Sequence, residues 1–422
     1  MIDIKRIREN PSEIKKMIVN RNMEYDIDYF LKIDEERRIL VNETQQRKRS
    51  RNLMANEISS LKKENQDNST KISEMKILSD KINQTDEKIR KLDNEVDELL
   101  SKLPNIIHNS VPLGKDETDN KNISSWGDIK KSKYSDDHIN LGKELDLIDI
   151  NRAGKVAGSR FYYLKGNLVR LKHALMSYSL DFIQEKGFNI IQPPYALRKE
   201  ALNGSIIFSD FEEVIYKIEN EDLYLIATSE HAIAAMHMNE VFQKDVIPLK
   251  YSGISPCFRK EAGAHGKDTK GIFRVHQFEK IEQFIFSEPD DSWNQLENIV
   301  SNTQEIFRNL ELPHRVILLC TGDLGKISAK TYDIELWFPS HKKYREAASC
   351  SNCTDYQSRG LSIKYRNKPH EESKFIHTLN GTLIAVERTL IAIMENYQLE
   401  NGEIEIPKVL QKYMGNTKII RK

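Results

Sequence analysis

Arg259 and Arg274 are the side chains of this sequence best suited to hold a triphosphate. They flank a loop. Cys257-Phe-Arg259-Lys260-Glu261 leads into a Gly/Lys/Asp-rich stretch from Gly263 to Gly271, and Phe273-Arg274-Val275-His276-Gln-Phe278-Glu-Lys-Ile-Glu282 follows it. This reads as strand, loop, strand, and paired guanidinium forks match phosphate oxygens bidentately. The commoner phosphate cradles are missing: there is no G-x-x-x-x-G-K-[ST] and no G-x-G-x-x-G after a strand, and Gly263-Ala-His-Gly266-Lys267 has the wrong spacing for either. If ATP is used, side chains must hold its phosphates. Each residue also has a plainer reading. The arginines could be ion pairs on a sheet face and Phe278 a core aromatic, and His276 reads better as a structural histidine than as an acid–base group.

Cys350 and Cys353 form a C-x-x-C, but no second such pair and no H-x-x-x-H accompanies them. A structural zinc wants four ligands, so incidental thiols are expected.

These residues need a sheet to carry them, and the chain changes character at Pro104 to supply one. Glycine is absent before Gly114, and no proline occurs between Pro11 and Pro104. So long a stretch without helix breakers predicts helix. Met75, Ile82, Ile89, Val96 and Leu103 recur every seven residues, with Leu78, Thr85, Leu92 and Leu99 on the interleaved seam, which is a coiled-coil stripe. Ile33, Leu40, Met54 and Leu61 keep a similar period in the first half, interrupted by Arg47. The polar run Glu64 to Thr70 predicts a turn between two helices of roughly 35 residues, each about 50 Å long. Neither can bury its stripe alone, so an antiparallel hairpin follows for residues 1–104, with a short helix near Pro11 and Ser12 at its base. Arg47, Lys48, Arg49 and Arg51 form a basic cluster on the first helix. It reads as a phosphate-contacting surface, against the plainer reading of a solvated helix face.

Residues 105–422 form the second domain. Asn105 to Asp137 reads as a polar linker and Asn167 to Lys186 as a helix. Strand-like runs follow at Asn189–Gln192, Leu223–Ile226, Phe273–Val275, Gln283–Phe286, Arg315–Leu319 and Thr331–Trp337, with a last helix from about Thr382 to Asn396. Strands do not alternate regularly with helices, so the fold class is α+β with a mixed or antiparallel sheet.

At 422 residues with 39% apolar and 30% charged residues, the chain can bury a sizeable core beneath much solvated surface. Lys+Arg and Asp+Glu each total 64, so no global basic excess advertises a nucleic acid. Met1 to Asn10 lacks the apolar core of a signal peptide, and no long apolar run occurs. A cytoplasmic location without membrane or DNA partners is expected.

The 257–282 segment resembles motif 2 of class II aminoacyl-tRNA synthetases, specifically that of the seryl-tRNA synthetases. Gly381-Thr-Leu-Ile-Ala-Val-Glu387-Arg388-Thr389-Leu390 is similar to motif 3, and Gly187-Phe-Asn-Ile-Ile-Gln-Pro193-Pro194 to motif 1, the dimer interface of that class. Tyr344 to Arg359 (YREAASCSNCTDYQSR), Thr228-Ser229-Glu230 and Leu103-Pro-Asn-Ile-Ile-His108 resemble seryl signatures, and the hairpin matches too.

The resemblance implies a serine–tRNA ligase activity with ATP and Mg2+, a homodimer, and tRNA(Ser) as partner, with tRNA(Sec) a further candidate. It implies Arg259, Glu282 and Arg388 as catalytic residues. The ATP site would use Arg259, Lys260, Glu261, Arg274, Val275, Phe278, Glu346, Ala347, Ala348, Ser349 and Arg388, with magnesium on Glu346 and Ser349. L-Serine would lie among Thr228, Ser229, Glu230, Glu282, Asn380 and Thr382, and the long variable arm of tRNA would meet Arg47, Lys48, Arg49 and Arg51. The sequence departs from the family at Lys267 and Lys270, where arginines are usual, at Asn203 to Phe211, and at Cys353, often an aromatic position. A paralogue charging a carrier protein should lack the hairpin, and a non-catalytic RNA-binding scaffold should have lost Arg259, Glu261, Glu346 and Arg388; neither departure is present.

Overall fold

The computed structural model describes residues 1–129, 136–262 and 270–422. The chain forms two compact units, one of Asp3–Val19 with Met23–Leu103, the other of Met1–Ile2, Asn20–Asn22 and Pro104–Lys422.

The first unit holds helices α1 (Ile4–Glu9), α2 (Pro11–Asn20), α3 (Ile27–Lys63) and α4 (Ser69–Lys102). The long pair has 37 and 34 residues. Asp26 caps α3 by accepting the Tyr29 N–H at 2.9 Å. The turn is shorter than the sequence suggests. Asp67 accepts the Ser69 N–H at 2.9 Å, so α4 starts at Ser69 rather than after Thr70. Ile33, Ile82 and Val96 are buried in the seam. The Arg47 interruption meets Thr85 of the opposite stripe across it: Arg47 Nη1 donates to Thr85 Oγ1 at 2.8 Å. A buried carboxylate fastens the base, with Asp34 receiving Arg8 at 2.6 Å, Arg37 at 3.0 Å and Arg38 at 3.2 Å. Burial alone would raise the Asp34 carboxyl, but hydrogen bonds and charge from Arg8 and Arg37 outweigh it and hold the group below its ordinary value.

The second unit is built on an eight-stranded sheet: β1 (Lys121–Trp126), β2 (Asn189–Ile191), β3 (Leu249–Phe258), β4 (Gln277–Ser287), β5 (His314–Leu318), β6 (Lys330–Phe338), β7 (Lys343–Thr354) and β8 (His377–Ala385). The spatial order is β1-β5-β6-β7-β8-β4-β3-β2, antiparallel throughout except for the parallel β2–β3 pair. Helices α5 (Asn167–Glu185), α6 (Ser229–Met236), α7 (Ser292–Asn309) and α8 (Val386–Asn396) pack around it. Ile281 and Ile285 of β4, Leu379 and Leu383 of β8 and Ile334 of β6 share a core with Leu171 of α5, Ile299 of α7 and Leu390 of α8. Each such fully buried side chain contributes about 1.5–3 kcal/mol.

Three sequence expectations need correction. The expected linker at Asn105–Asp137 contains edge strand β1, and Asn105 is buried, its amide donating to the Cys353 carbonyl at 2.7 Å. Phe273–Val275 is not a strand. The β3–β4 ladder ends at Phe258 opposite Gln277, and Ile272, Phe273 and Val275 are apolar because they fill the core. Thr382 to Ala385 belong to β8, and the last helix starts at Val386.

Candidate active site

Strand alternation builds the site. Along β4, Ile281 and Ile285 enter the helix-covered core and Gln283 donates to the Ile299 carbonyl at 3.2 Å, so Phe278, Lys280 and Glu282 share the opposite face. Thr382 of β8 lies directly opposite Glu282 in register. Two close approaches bring helices onto this frame. A Cβ at Gly381 would meet Ile299 Cγ2 at 2.3 Å, and one at Gly253 would meet Ile233 Cδ1 at 2.6 Å. Only glycine lets α7 press on β8 and α6 on β3.

One cavity of about 180 Å³ is lined by Arg259, Glu261, Arg274, Val275, Phe278, Glu346, Ala347 and Arg388, together with Ile272, Phe273, Lys280, Thr382, Ala385 and Glu387. The cations and carboxylates are matched in pairs: Arg274 Nη1 to Glu261 Oε2 at 2.9 Å, and Arg388 Nη1 to Glu346 Oε1 at 3.3 Å. The Arg388 charge holds the Glu346 carboxyl below its usual range. Arg259 lies 5.2 Å from the Phe278 ring centroid and donates to the Ala227 carbonyl at 3.2 Å. Arg388 and Arg345 flank Phe273, at 4.8 and 3.5 Å from its centroid. Glu261 adopts a left-handed backbone, φ 51°. The arrangement can clamp a polyanion between guanidiniums while an aromatic face remains for a flat ring.

A carboxylate-rich pocket adjoins it. Glu282 is 1% exposed, paired with Lys280, and its Oε2 lies 3.5 Å from the hydroxyls of Thr228 and Thr382. Glu230 accepts amide hydrogens from Asn380 and Gln357, each at 3.0 Å. Burial, then the charge of Glu282, pushes the Glu230 carboxyl up to about 7. A buried and a half-buried carboxylate with hydroxyl and amide donors suit a small ligand bearing an ammonium and a hydroxyl.

Not every expected residue turns this way. Ala348 sits in the helix-side core, Lys260 extends over the Tyr216 ring at 5.7 Å, and Ser229 is buried against the Gly253 carbonyl at 3.4 Å. Ser349 lies opposite Asp333 in the β6–β7 register. His276 Nδ1 lies 2.9 Å from the Tyr216 hydroxyl and 2.8 Å from the Arg259 carbonyl, the structural role expected of it. Three residues apart on β7, Cys350 and Cys353 face opposite sides: Cys350 Sγ lies 3.9 Å from Thr303 of α7, Cys353 Sγ 3.6 Å from the Asn380 amide. Their sulfurs have different neighbours, and burial pushes both thiols up. Gly263–Gly266 and Lys267 lie outside the described residues, while Lys270 is exposed.

Residues 1–107 match the family model of the seryl-tRNA synthetase N-terminal domain, and residues 213–397 that of the class II tRNA synthetase core domain (G, H, P, S and T). A serine–tRNA ligase of Nitrosopumilus maritimus is 49% identical over the full length of both chains. The chain belongs to the seryl-tRNA synthetase family. Among solved structures, a Pyrococcus horikoshii seryl-tRNA synthetase complexed with ATP superposes with a TM-score of 0.93 at 44% identity, covering 100% of this chain and 99% of that one. A cytoplasmic serine–tRNA ligase of Naegleria fowleri in complex with AMP gives 0.88 at 36% identity over 100% and 99%.

At this candidate site four residues escaped the sequence reading: Lys280, Phe273, Gln357 and Glu387. Lys280 was accessible to it, because a lysine two residues from Glu282 on a strand must share its face. Glu387 is buried and gathers the Tyr162 hydroxyl at 2.6 Å, Lys172 at 3.1 Å and the Glu279 N–H at 2.8 Å, three distant segments that no local pattern joins. Among the described residues no helix is long and apolar enough to cross a membrane.

Proposed function

We propose that this chain is a serine–tRNA ligase. It condenses L-serine with ATP to seryl-adenylate and pyrophosphate, then passes the seryl group to the 3′-terminal ribose hydroxyl of tRNA(Ser), with tRNA(Sec) a second candidate acceptor. The observation that carries the reading is the continuity of the two pockets: Lys280 and Thr382, which contact Glu282, also line the arginine-bearing cavity.

In the first step the serine carboxylate attacks the α-phosphorus in line. The new P–O bond forms as the bond to pyrophosphate breaks, and no strong base is needed because the nucleophile is already an anion. Catalysis is positioning plus charge stabilisation. Arg259 would hold the α-phosphate, Arg388 and Arg274 the γ-phosphate, with Glu261 and Val275 meeting the adenine edge and Phe278 its face. Ligand entry must then exchange the Arg274–Glu261 and Arg388–Glu346 pairs for contacts to ATP.

A divalent cation fits beside this cavity. Asp333 Oδ1 is buried without a hydrogen-bond partner among the described residues, and burial, then the charge of Glu346, pushes that carboxyl well up. Glu346 and Ser349 would hold magnesium, a hard cation content with one or two protein oxygens when phosphates supply others. Bound there, it would neutralise charge on the phosphate oxygens. No group of three or more His, Cys, Asp or Glu forms a dedicated cage among the described residues, which agrees with that mode.

Selectivity follows from Glu282. Alanine leaves this buried carboxylate without its hydroxyl partner, a large penalty, whereas threonine must be refused sterically. Arg47 and Lys48 are partnered within the hairpin, by Thr85 and by Asp86 at 2.9 Å, so Arg49 and Arg51 are the freer contacts for tRNA phosphates. Homodimerisation and a cytoplasmic location complete the reading. Pyrophosphate exchange across the amino acids tests it: serine should support exchange, Glu282→Ala should abolish most of it, and near-normal serine kinetics in that variant would remove Glu282 from the pocket.

A further inference from the structure

We propose that Lys280 is the positioning and specificity residue of the amino-acid pocket: its ammonium holds one oxygen of Glu282, turns the other to the substrate hydroxyl, and offsets one of the two carboxylates there. This deepens the serine reading and rests on it.

The lysine is not an ordinary strand lysine reaching for solvent. Its side chain is 8% exposed, lines the cavity, and is in ion-pair contact with Glu282 Oε2. That same oxygen is the one near Thr228 and Thr382; among the described residues no donor reaches Oε1. One carboxylate oxygen is therefore anchored and its partner is available, which is the geometry a hydroxyl donor requires. The charge count points the same way. Glu230 and Glu282 bring two negative charges into a buried space and Lys280 returns one positive charge, leaving a single negative charge to match one incoming ammonium. A neutral side chain at 280 would leave two like charges facing one another, which burial penalises. An arginine would need five donors satisfied, whereas the compact ammonium needs three. The other titratable and charged groups facing the pair are His231 beside Glu230 on α6, Arg259 beyond the end of β3, Cys257 on β3 and Cys353 on β7. Arg259, the other cation, is engaged with the Ala227 carbonyl and the Phe278 ring. His231 is held neutral by burial, its value lowered to about 3, and the buried Cys257 thiol is raised to about 11.

Lys280→Met, near in volume and uncharged, tests the proposal, with Lys280→Gln as a second variant in case the first folds poorly. The full-length protein is assayed by serine-dependent pyrophosphate exchange from about pH 6 to 9, with the KM of ATP measured in parallel. The expected result is a serine KM raised about tenfold or more at neutral pH with the ATP KM within about twofold. The serine-over-alanine preference should fall, and the acidic limb of kcat/KM for serine should move up by about one pH unit, because Lys280 is among the charges that oppose the rise of Glu230. An unchanged pH profile and preference, with serine and ATP KM rising together, would assign Lys280 a purely structural role and overturn the proposal. So would wild-type serine kinetics in a folded variant. A wild-type enzyme lacking serine-dependent exchange would instead refute the serine reading itself, so the two failures are separable.

Discussion

Burial and the charge of Glu282 push the Glu230 carboxyl up to about 7, which places a titration of the empty pocket inside the working pH range. On the proposed reading, the ammonium of serine meets this carboxylate in its ionised form. Below about pH 7, kcat/KM for serine should therefore fall about tenfold per unit, whereas kcat, which reports enzyme already holding the ammonium, should keep its acidic limb at lower pH. Exchange kinetics across pH check this, and Glu230→Gln should lower activity and flatten the limb; a profile level through pH 6 would dissociate Glu230 from substrate binding. At this scale the sequence was informative where a residue works inside a local motif. Arg259 and Arg274 were legible from their spacing about one loop, whereas Phe278 came only with the family resemblance. Asp333 was not, because its significance lies in an unpartnered oxygen that only the β6–β7 register exposes.

Individual elements deliver these side chains through contacts with little slack. Gly381 illustrates it: a methyl group there would come within 2.3 Å of Ile299 and 3.0 Å of Cys350 Sγ. Gly381→Ala should destabilise the catalytic unit by about 1–3 kcal/mol, the usual range for an overpacked core. Because Asn380 and Thr382 flank it, serine KM should rise more than ATP KM. Thermal unfolding and exchange kinetics read the two effects. The long helices of the hairpin were visible in the heptad spacing, since a stripe every seven residues implies a partner stripe. The core strands were read too short, and their boundaries blurred, because Phe273–Val275 has strand composition but packs as an irregular segment beyond the last ladder pair.

For the molecule as a whole, two compact units divide the labour: one carries the pockets, the other the basic surface. Arg49→Ala with Arg51→Ala should leave serine-dependent pyrophosphate exchange unchanged while raising the KM for tRNA about tenfold. It should also reduce the salt dependence of tRNA binding by about one ion per lost phosphate contact. Equal loss of both activities would mean the residues act through folding instead. Arg47→Ala should differ, because its guanidinium is spent on Thr85 and Glu43 inside the hairpin. The sequence alone determined what depends on neighbours along the chain: the helical hairpin from its uninterrupted heptads, the loop flanked by arginines, the absence of a glycine phosphate cradle, and the family resemblance carried by ordered motifs. Only the tertiary structure decided which of those residues meet. It brought Glu230 on a helix, Lys280 and Glu282 on one strand and Thr382 on the next into a single buried pocket, and it turned Ala348 and Cys350 away. The physical reason is that burial and opposing charge set the chemistry of such a group. Both depend on partners drawn from separate segments of the chain, whose positions are set by sheet register and by the close approach of helices at glycine.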